Sequence, residues 1–266
     1  MSMKLKTIAA SMMLATTVSA FAGGNISSYD SVSADSAAAT LKDKNSLGLG
    51  VAYSQQLYSG VDNITRVLPL FKIEYDRFFI KGFDVGVNAY ENQQFSAAII
   101  LKPLFNQYEA SDSSDLTGME DRKISAYAGG QLSYKIKSLH LTAFAAQDVT
   151  DRTNGAIAGG KVSMGIPFSG GKIVVVPSVG ATHWDADVVN YYFGVTESEA
   201  TATRSEYSPD STWVYNATLT GFYEITSSWR ARLTYNYSRY GSEVEDSPIT
   251  DRRGTSAILA GVSYVF

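Results

Sequence analysis

A chain of 266 residues with a formal net charge of −4 and no cysteine has no basic footprint for nucleic acid; nor can it support a disulfide framework, thiol catalysis, a cysteine-ligated metal or a lipid-anchored N-terminal cysteine. Tyr (17) outnumbers Phe (12), and Gly (22) far outnumbers Pro (6), a balance suited to many strands and tight turns rather than helices. Beyond about the first two dozen residues no apolar run approaches the ~18 that a membrane helix needs, so if the chain crosses a membrane it does so as a barrel.

Met1 to Ala22 reads as a secretory signal: Lys4 and Lys6 precede an apolar run from Ile8 to Val18, and small residues follow at Ser19, Ala20 and Ala22. Ala20-Phe21-Ala22 places cleavage after Ala22, with Ala20 as the alternative, and a buried N-terminal helix is the plainer competing reading. Residues 23–45 are rich in Ser, Ala, Asp and Gly with few large apolar side chains, the composition of a mobile periplasmic lead-in.

From Ser46 to Phe266 the chain alternates at period two, which marks strands with two unlike faces. Leu47, Leu49, Val51 and Tyr53 define the first apolar face. Phe71, Ile73 and Tyr75 define the next, opposite Lys72, Glu74 and Asp76. Later segments are longer: Ile124 to Tyr134, Ala158 to Phe168, then a hairpin from Trp213 to Gly241. In that hairpin Tyr215, Ala217, Leu219, Tyr223, Trp229, Ala231, Leu233, Tyr235 and Tyr237 oppose Asn216, Thr218, Thr220, Glu224, Arg230, Arg232, Thr234 and Asn236. The last strand, Gly254 to Phe266, ends on its own apolar face.

Alternation alone does not say which face points outward, and a soluble lipocalin-like barrel would invert the assignment. Aromatic residues on the apolar face gather near strand ends. Tyr134, Phe168, Tyr223, Trp229, Tyr264 and Phe266 lie near one set of turns, and Trp213, Tyr215 and Tyr237 near the other. Two girdles bracketing an Ala, Val and Leu band are the expected exterior of a membrane barrel. Short connections alternate with the long polar ones at 106–120, 186–212 and 242–253, so Phe266 ends on the periplasmic side and the long loops are external. Seven clear strands after Arg122 then require an odd number before Phe105. Five result if Phe78 to Lys81 is a short strand of its own. The expectation is an all-β closed antiparallel transmembrane barrel over 46–266 with twelve strands, or ten as the alternative, and a narrow lumen.

Lys123, Lys135, Lys161, Arg230 and Arg232 fall on the polar face with Glu224. They would either attract anions into the lumen or pair internally with Glu74, Asp84 and Glu224 and plug it. The only histidines, His140 and His183, belong to opposite rims, about 30 Å apart at ~3.3 Å per residue, so no joint triad or two-histidine metal set is available. His183 with Asp185 or Asp187 could imitate a hydrolase dyad; a rim histidine is the plainer reading. The external loops are acidic, through Asp187, Glu197, Glu199, Glu206 and Asp210 in one and Glu243, Glu245, Asp246 and Asp251 in another. That is solvated surface, or a divalent-cation bridge to lipopolysaccharide, since hard cations favour carboxylate oxygens.

The stretch "PSVGATHWDADVVNYYFGVTESEATATRSEYSP" from Pro177 to Pro209 resembles the signature of the MipA/OmpV family of outer-membrane proteins, carried by Trp184, Tyr191, Tyr192, Gly194, Glu199 and Tyr207. Tyr75 with Phe78-Phe79 and Gly82, Asp246-Ser247-Pro248-Ile249, and the terminal Tyr264-Val265-Phe266 agree with it. Gly261, Tyr264 and Phe266 also resemble the C-terminal signal read by the barrel-assembly machinery, although Leu259 stands where that signal has a polar residue. The resemblance implies an outer-membrane barrel; together with the signal sequence and the missing catalytic constellation, the expectation is an exported, non-enzymatic protein without a cofactor, in contact with lipid and lipopolysaccharide. The resemblance further implies either a scaffold for a lytic transglycosylase and a peptidoglycan synthase or a surface-interaction protein. A narrow diffusion channel and a lipid-modifying enzyme are the alternatives.

Overall fold

The computed structural model describes residues 45–266, and in them the alternating segments become one antiparallel sheet that closes on itself. The strands are β1 (Ser46–Ser54), β2 (Ile64–Tyr75), β3 (Phe78–Lys81), β4 (Asp84–Glu91), β5 (Phe95–Leu104), β6 (Ser125–Ile136), β7 (Leu139–Asp148), β8 (Ala156–Met164), β9 (Ile166–Phe168), β10 (Ile173–Trp184), β11 (Thr212–Glu224), β12 (Trp229–Tyr240) and β13 (Gly254–Val265). Each pairs with its neighbours, and β13 pairs with both β12 and β1, through Ala231↔Val262 and Leu49↔Val262. β8 and β9 pair with β10 in one continuous register, Ser163↔Ser178 and Ile166↔Val175. They are halves of a single wall strand, interrupted opposite Pro177, which has no N–H to give the ladder. The barrel therefore has twelve strands, not the alternative ten. The signal and lead-in readings lie outside the described residues.

The apolar face points outward. Leu49, Val67, Ile99, Leu132, Val179, Leu219 and Leu233 form an exposed band, with Tyr134, Phe168, Tyr223, Trp229, Tyr264 and Phe266 along one rim and Trp213, Tyr215 and Tyr237 along the other. A surface this apolar is stable only against lipid. Leu259, the residue out of place for an assembly signal, faces the lumen. It is 2% exposed and packs with Ala52, Leu68 and Phe105.

The wall is uneven at β3 and β4. β2 pairs with β3 only across Lys72–Tyr75, and β4 meets β5 only from Val85↔Leu101 downward. Residues 64–71 of β2 therefore have no partner strand on the edge away from β1, and residues 102–104 of β5 have none on the edge away from β6. Pro69 and Pro103 fall in these two freed stretches, where a missing N–H does least harm. Behind the break Phe83 packs edge-on to Phe105 at 5.1 Å, next to Leu68 and Leu70.

Candidate functional site

The four longest connections, 55–63, 105–124, 185–211 and 241–253, fold inward and fill the external mouth. The centre of this cap is helix α1 (Ala186–Phe193). Its N-cap is Asp185, whose carboxylate accepts the Val188 N–H at 3.0 Å and also the Ala156 N–H, which ties the helix to the start of β8. Gly194 ends it by donating to the Asn190 carbonyl at 2.9 Å, and a Cβ there would meet that same oxygen at 2.5 Å. Val188, Val189, Tyr192 and Phe193 form one buried helix face. Phe193 stacks between Trp184, at 6.3 Å and 9°, and Tyr58, at 5.7 Å and 23°. Leu116 and Met119 from the second connection, and Val244 and Ile249 from around helix α2 (Ser242–Glu245), complete the cluster.

Two buried arginines lace these loops together. Arg122 donates through Nε to the Tyr191 carbonyl at 2.6 Å, through Nη1 to the Glu120 carbonyl at 3.1 Å and through Nη2 to Glu199 Oε1 at 2.9 Å. Glu199 Oε1 also accepts the Glu120 N–H at 2.8 Å, while Oε2 takes the Thr196 N–H at 3.0 Å and its hydroxyl at 2.9 Å. Burial raises the Glu199 pKa, but the Glu120 and Thr196 N–H groups and the Arg122 guanidinium outweigh it, so the carboxyl sits below its ordinary range. Burial likewise lowers that of Arg122, and Tyr108 and Glu199 more than restore it. Arg204 grips three carbonyls, those of Asp115 at 2.6 Å, Thr117 at 3.0 Å and Glu199 at 2.8 Å. The Tyr207 hydroxyl donates to the Glu243 carbonyl at 2.9 Å, and burial beside Glu243 and Asp246 pushes its pKa up to about 12.

The sequence motif thus meets in one place: Trp184, Tyr191, Tyr192, Gly194, Glu199 and Tyr207 all belong to the cap. Arg122 and Arg204, which hold it, were missed. Each is a lone arginine at a loop position without periodicity, and only the fold supplies its carbonyl partners. With that geometry established, comparison with known proteins is decisive. The sequence profile described as "MltA-interacting protein MipA" matches residues 47–266. The chain belongs to that family. It is 28% identical to the MltA-interacting protein of Escherichia coli K12 over 84% of this chain and 90% of the relative. It is also 28% identical to the outer membrane protein OmpV of Vibrio cholerae over 60% and 61% of the two chains. Among solved structures, outer-membrane-expressed OmpT of Vibrio cholerae aligns with a TM-score of 0.40 at 10% identity, covering 83% of this chain and 97% of that one.

As a member of the MipA family, the protein is an outer-membrane barrel, and its lumen charges lie on the inner wall with one correction. Lys123 lies outside β6 and is exposed, because the Tyr108↔Arg122 bridge draws the chain away from the wall and the Lys123 N–H donates to the Tyr191 hydroxyl at 3.1 Å. Lys135, Lys161, Glu224, Arg230 and Arg232 face inward and are partly covered. Glu224 stands in register with Arg230, and Arg232 donates to Thr234 Oγ1 at 3.0 Å with its guanidinium 5.5 Å over the Phe222 ring. Glu74 and Asp84 pair with Lys81 and Lys102, each at 2.6 Å, two lysines the sequence reading had not enlisted. Gly261 lies where β13 runs close against β1, since a Cβ there would meet the Leu49 carbonyl at 2.8 Å. Tyr264 meets Trp229 edge-on at 5.3 Å and stacks on Phe266 at 6.5 Å.

The hydrolase dyad does not assemble. His183 packs edge-on to Trp213 at 5.1 Å on the outer face, while Asp185 is committed to capping α1. His140 begins β7 at the other rim, and among the described residues no three histidines, cysteines or carboxylates converge as metal ligands. The acidic loops are also less solvated than their composition suggests. Glu199 is buried against Arg122, Glu243 accepts the Asp210 N–H at 2.9 Å, and Glu245 pairs with Arg253 at 2.5 Å.

Proposed function

We propose that this outer-membrane barrel is a non-enzymatic scaffold whose periplasmic rim docks peptidoglycan-remodelling enzymes, a lytic transglycosylase and a peptidoglycan synthase, or that its capped external face binds surface ligands. The single observation that carries the reading is the cap. Four loops are committed to one apolar cluster locked by Arg122, Glu199 and Arg204, so these side chains serve packing rather than turnover. The name of the MltA-interacting relative supports the enzyme-docking half. In this reading the signal at residues 1–22 exports the chain, and the assembly machinery inserts it through the strand bearing Gly261, Tyr264 and Phe266.

The test is a pull-down from crosslinked cell envelopes. Murein enzymes or surface ligands are expected among the captured proteins, and recovery of neither removes the proposal. Planar-bilayer recording should show no steady conductance through the capped barrel; stable single-channel steps would favour the channel instead. A His183→Ala variant should leave the lipid profile of the envelope unchanged, and a changed profile would favour an enzyme.

A further inference from the structure

A narrow cavity of about 40 Å³ lies inside the barrel at the corner of the wall break. On β12 and β13 it touches only inward-pointing residues, Arg230 and Arg232 on the first and Leu259 and Ser263 on the second. On β2 it touches five consecutive residues, Leu68 to Lys72, and next to them Gly82 and Phe83 at the turn between β3 and β4. Alternate residues line a cavity that lies against the face of a strand, whereas consecutive ones line a cavity that runs along its edge. Residues 68–71 belong to the stretch of β2 that has no partner strand away from β1, so the cavity stands where lumen and bilayer meet. An open sheet edge within the hydrocarbon layer has to be covered.

The lining has two characters. Leu70 and Phe83 keep part of their apolar surface accessible, with Leu68 and Leu259 packed behind them. The charged side chains are all cations, Lys72, Arg230 and Arg232, and no carboxylate lines the cavity beside them. Both arginines keep accessible surface. Glu74 and Asp84 are matched to Lys81 and Lys102, each at 2.6 Å, and neither of those lysines lines the cavity. In the sheet register the three cations have a single carboxylate opposite them, Glu224 beside Arg230.

Position and size narrow the occupant. Ser46, Arg230 and Ser263 lie within three residues of the periplasmic ends of their strands, while the open edge of β2 runs from there toward the membrane centre. An anionic head at the arginines therefore sits at the level of the inner leaflet's headgroups, and its chain follows the edge toward the bilayer interior. About 40 Å³ is room for about three water-sized groups, which suits a carboxylate but not the glycerol and second chain of a phospholipid.

We propose that the corner of the wall break is a fatty-acid site. Arg230 and Arg232 hold the carboxylate, as guanidinium groups do through paired N–H donors. The single acyl chain lies along Leu70 and Phe83 and passes through the break into the inner leaflet.

The test uses the full-length mature protein in phosphatidylcholine nanodiscs, at mildly alkaline pH where the acid is ionised. A dodecanoate probe with a diazirine on its tail is photolysed and the labelled peptides are mapped. Label is expected on residues 64–71 and 82–83, displaced by excess dodecanoate but not by dodecanol, which lacks the charge, or by acetate, which lacks the chain. Arg230→Gln combined with Arg232→Gln should cut the label at least about tenfold, since a site built around a polar contact discriminates strongly against its loss. Lysine at both positions should restore most of it, which a mere change in packing would not do. Heat-modifiable gel mobility identifies the folded variants, and if the glutamine variant does not fold the dodecanol comparison on the native chain decides. Displacement by dodecanol or by acetate as effective as by dodecanoate overturns the proposal. So does label spread evenly over the lipid-facing strands, or label undiminished in the folded glutamine variant.

Discussion

Arg122 and Glu199 lie 77 residues apart in the chain, yet their side chains meet at 2.9 Å with 8% and 4% of their surfaces exposed. Every remaining polar atom of the pair that the cap covers faces a backbone group, so both charges are solvated by the protein itself. This pair joins connection 105–124 to connection 185–211 and makes the cap one unit.

Breaking the pair should release the cap without opening the barrel. Arg122→Met leaves the Glu199 carboxylate buried without its counter-charge, at a cost of about 3–5 kcal/mol. Hydrogen exchange should rise across residues 105–124 and 195–207 and stay slow in β6 and β10. Equal acceleration in the strands would mean that the pair supports the whole sheet rather than the cap.

The same pair gives the cap an acid limit. The folded-state pKa of Glu199 is depressed, so the stability it contributes is fully present above the unfolded carboxylate value and is lost as pH falls through the folded one. Acidification below the ordinary carboxylate range should therefore loosen the cap while neutral and mildly alkaline pH leave it closed. Exchange in residues 195–207 followed from pH 7 downward should show this step, and Glu199→Gln, which cannot ionise, should abolish it. A step that persists in that variant belongs to another group.

The α1 terminus makes a narrower test. Gly194→Val would press a side chain onto the Asn190 carbonyl, 2.5 Å from the nearest Cβ position, at the point where the chain leaves the helix for the Val195↔Tyr207 bridge. Overpacking of this kind costs about 1–3 kcal/mol. Limited proteolysis should then cut within 194–207 while the protease-resistant barrel remains intact. Resistance equal to that of the native chain would show that the helix end can shift freely.

The sheet was legible because a lipid-facing strand repeats one signal every two residues. Once Phe266 had fixed the periplasmic side, parity required an odd number of strands before Phe105 and left five or three; the short β3 makes the number five. The cap was legible only as a cluster of aromatic residues in a long loop. Inward-facing Trp184, Tyr127 and Tyr240 look like girdle residues until register turns them into the lumen, and nothing in the spacing of Arg122 and Arg204 announces carbonyl partners tens of residues away. Lys123 shows the limit most clearly. Its phase matches the inward residues Ser125 and Tyr127, but the strand begins two residues later and the phase no longer applies.

Phe266 offers a test that separates its proposed role in assembly from stability. In β13 the Val265 N–H donates to the Ser228 carbonyl at 2.8 Å and the Phe266 N–H to the Asn45 carbonyl at 2.9 Å, so the backbone closes the sheet whatever side chain follows. The Phe266 ring itself is 61% exposed on the lipid face and touches Tyr264 alone among the described aromatic residues. Phe266→Ala keeps the closing hydrogen bonds, and an exposed truncation of this kind costs only about 0.5 kcal/mol. Detergent-refolded variant should melt within a few degrees of the native protein, whereas under the proposed reading of this ring by the assembly machinery the folded fraction recovered from outer membranes should fall several-fold. If the melting temperature falls in step with the membrane yield, the ring acts through stability and the recognition role is lost.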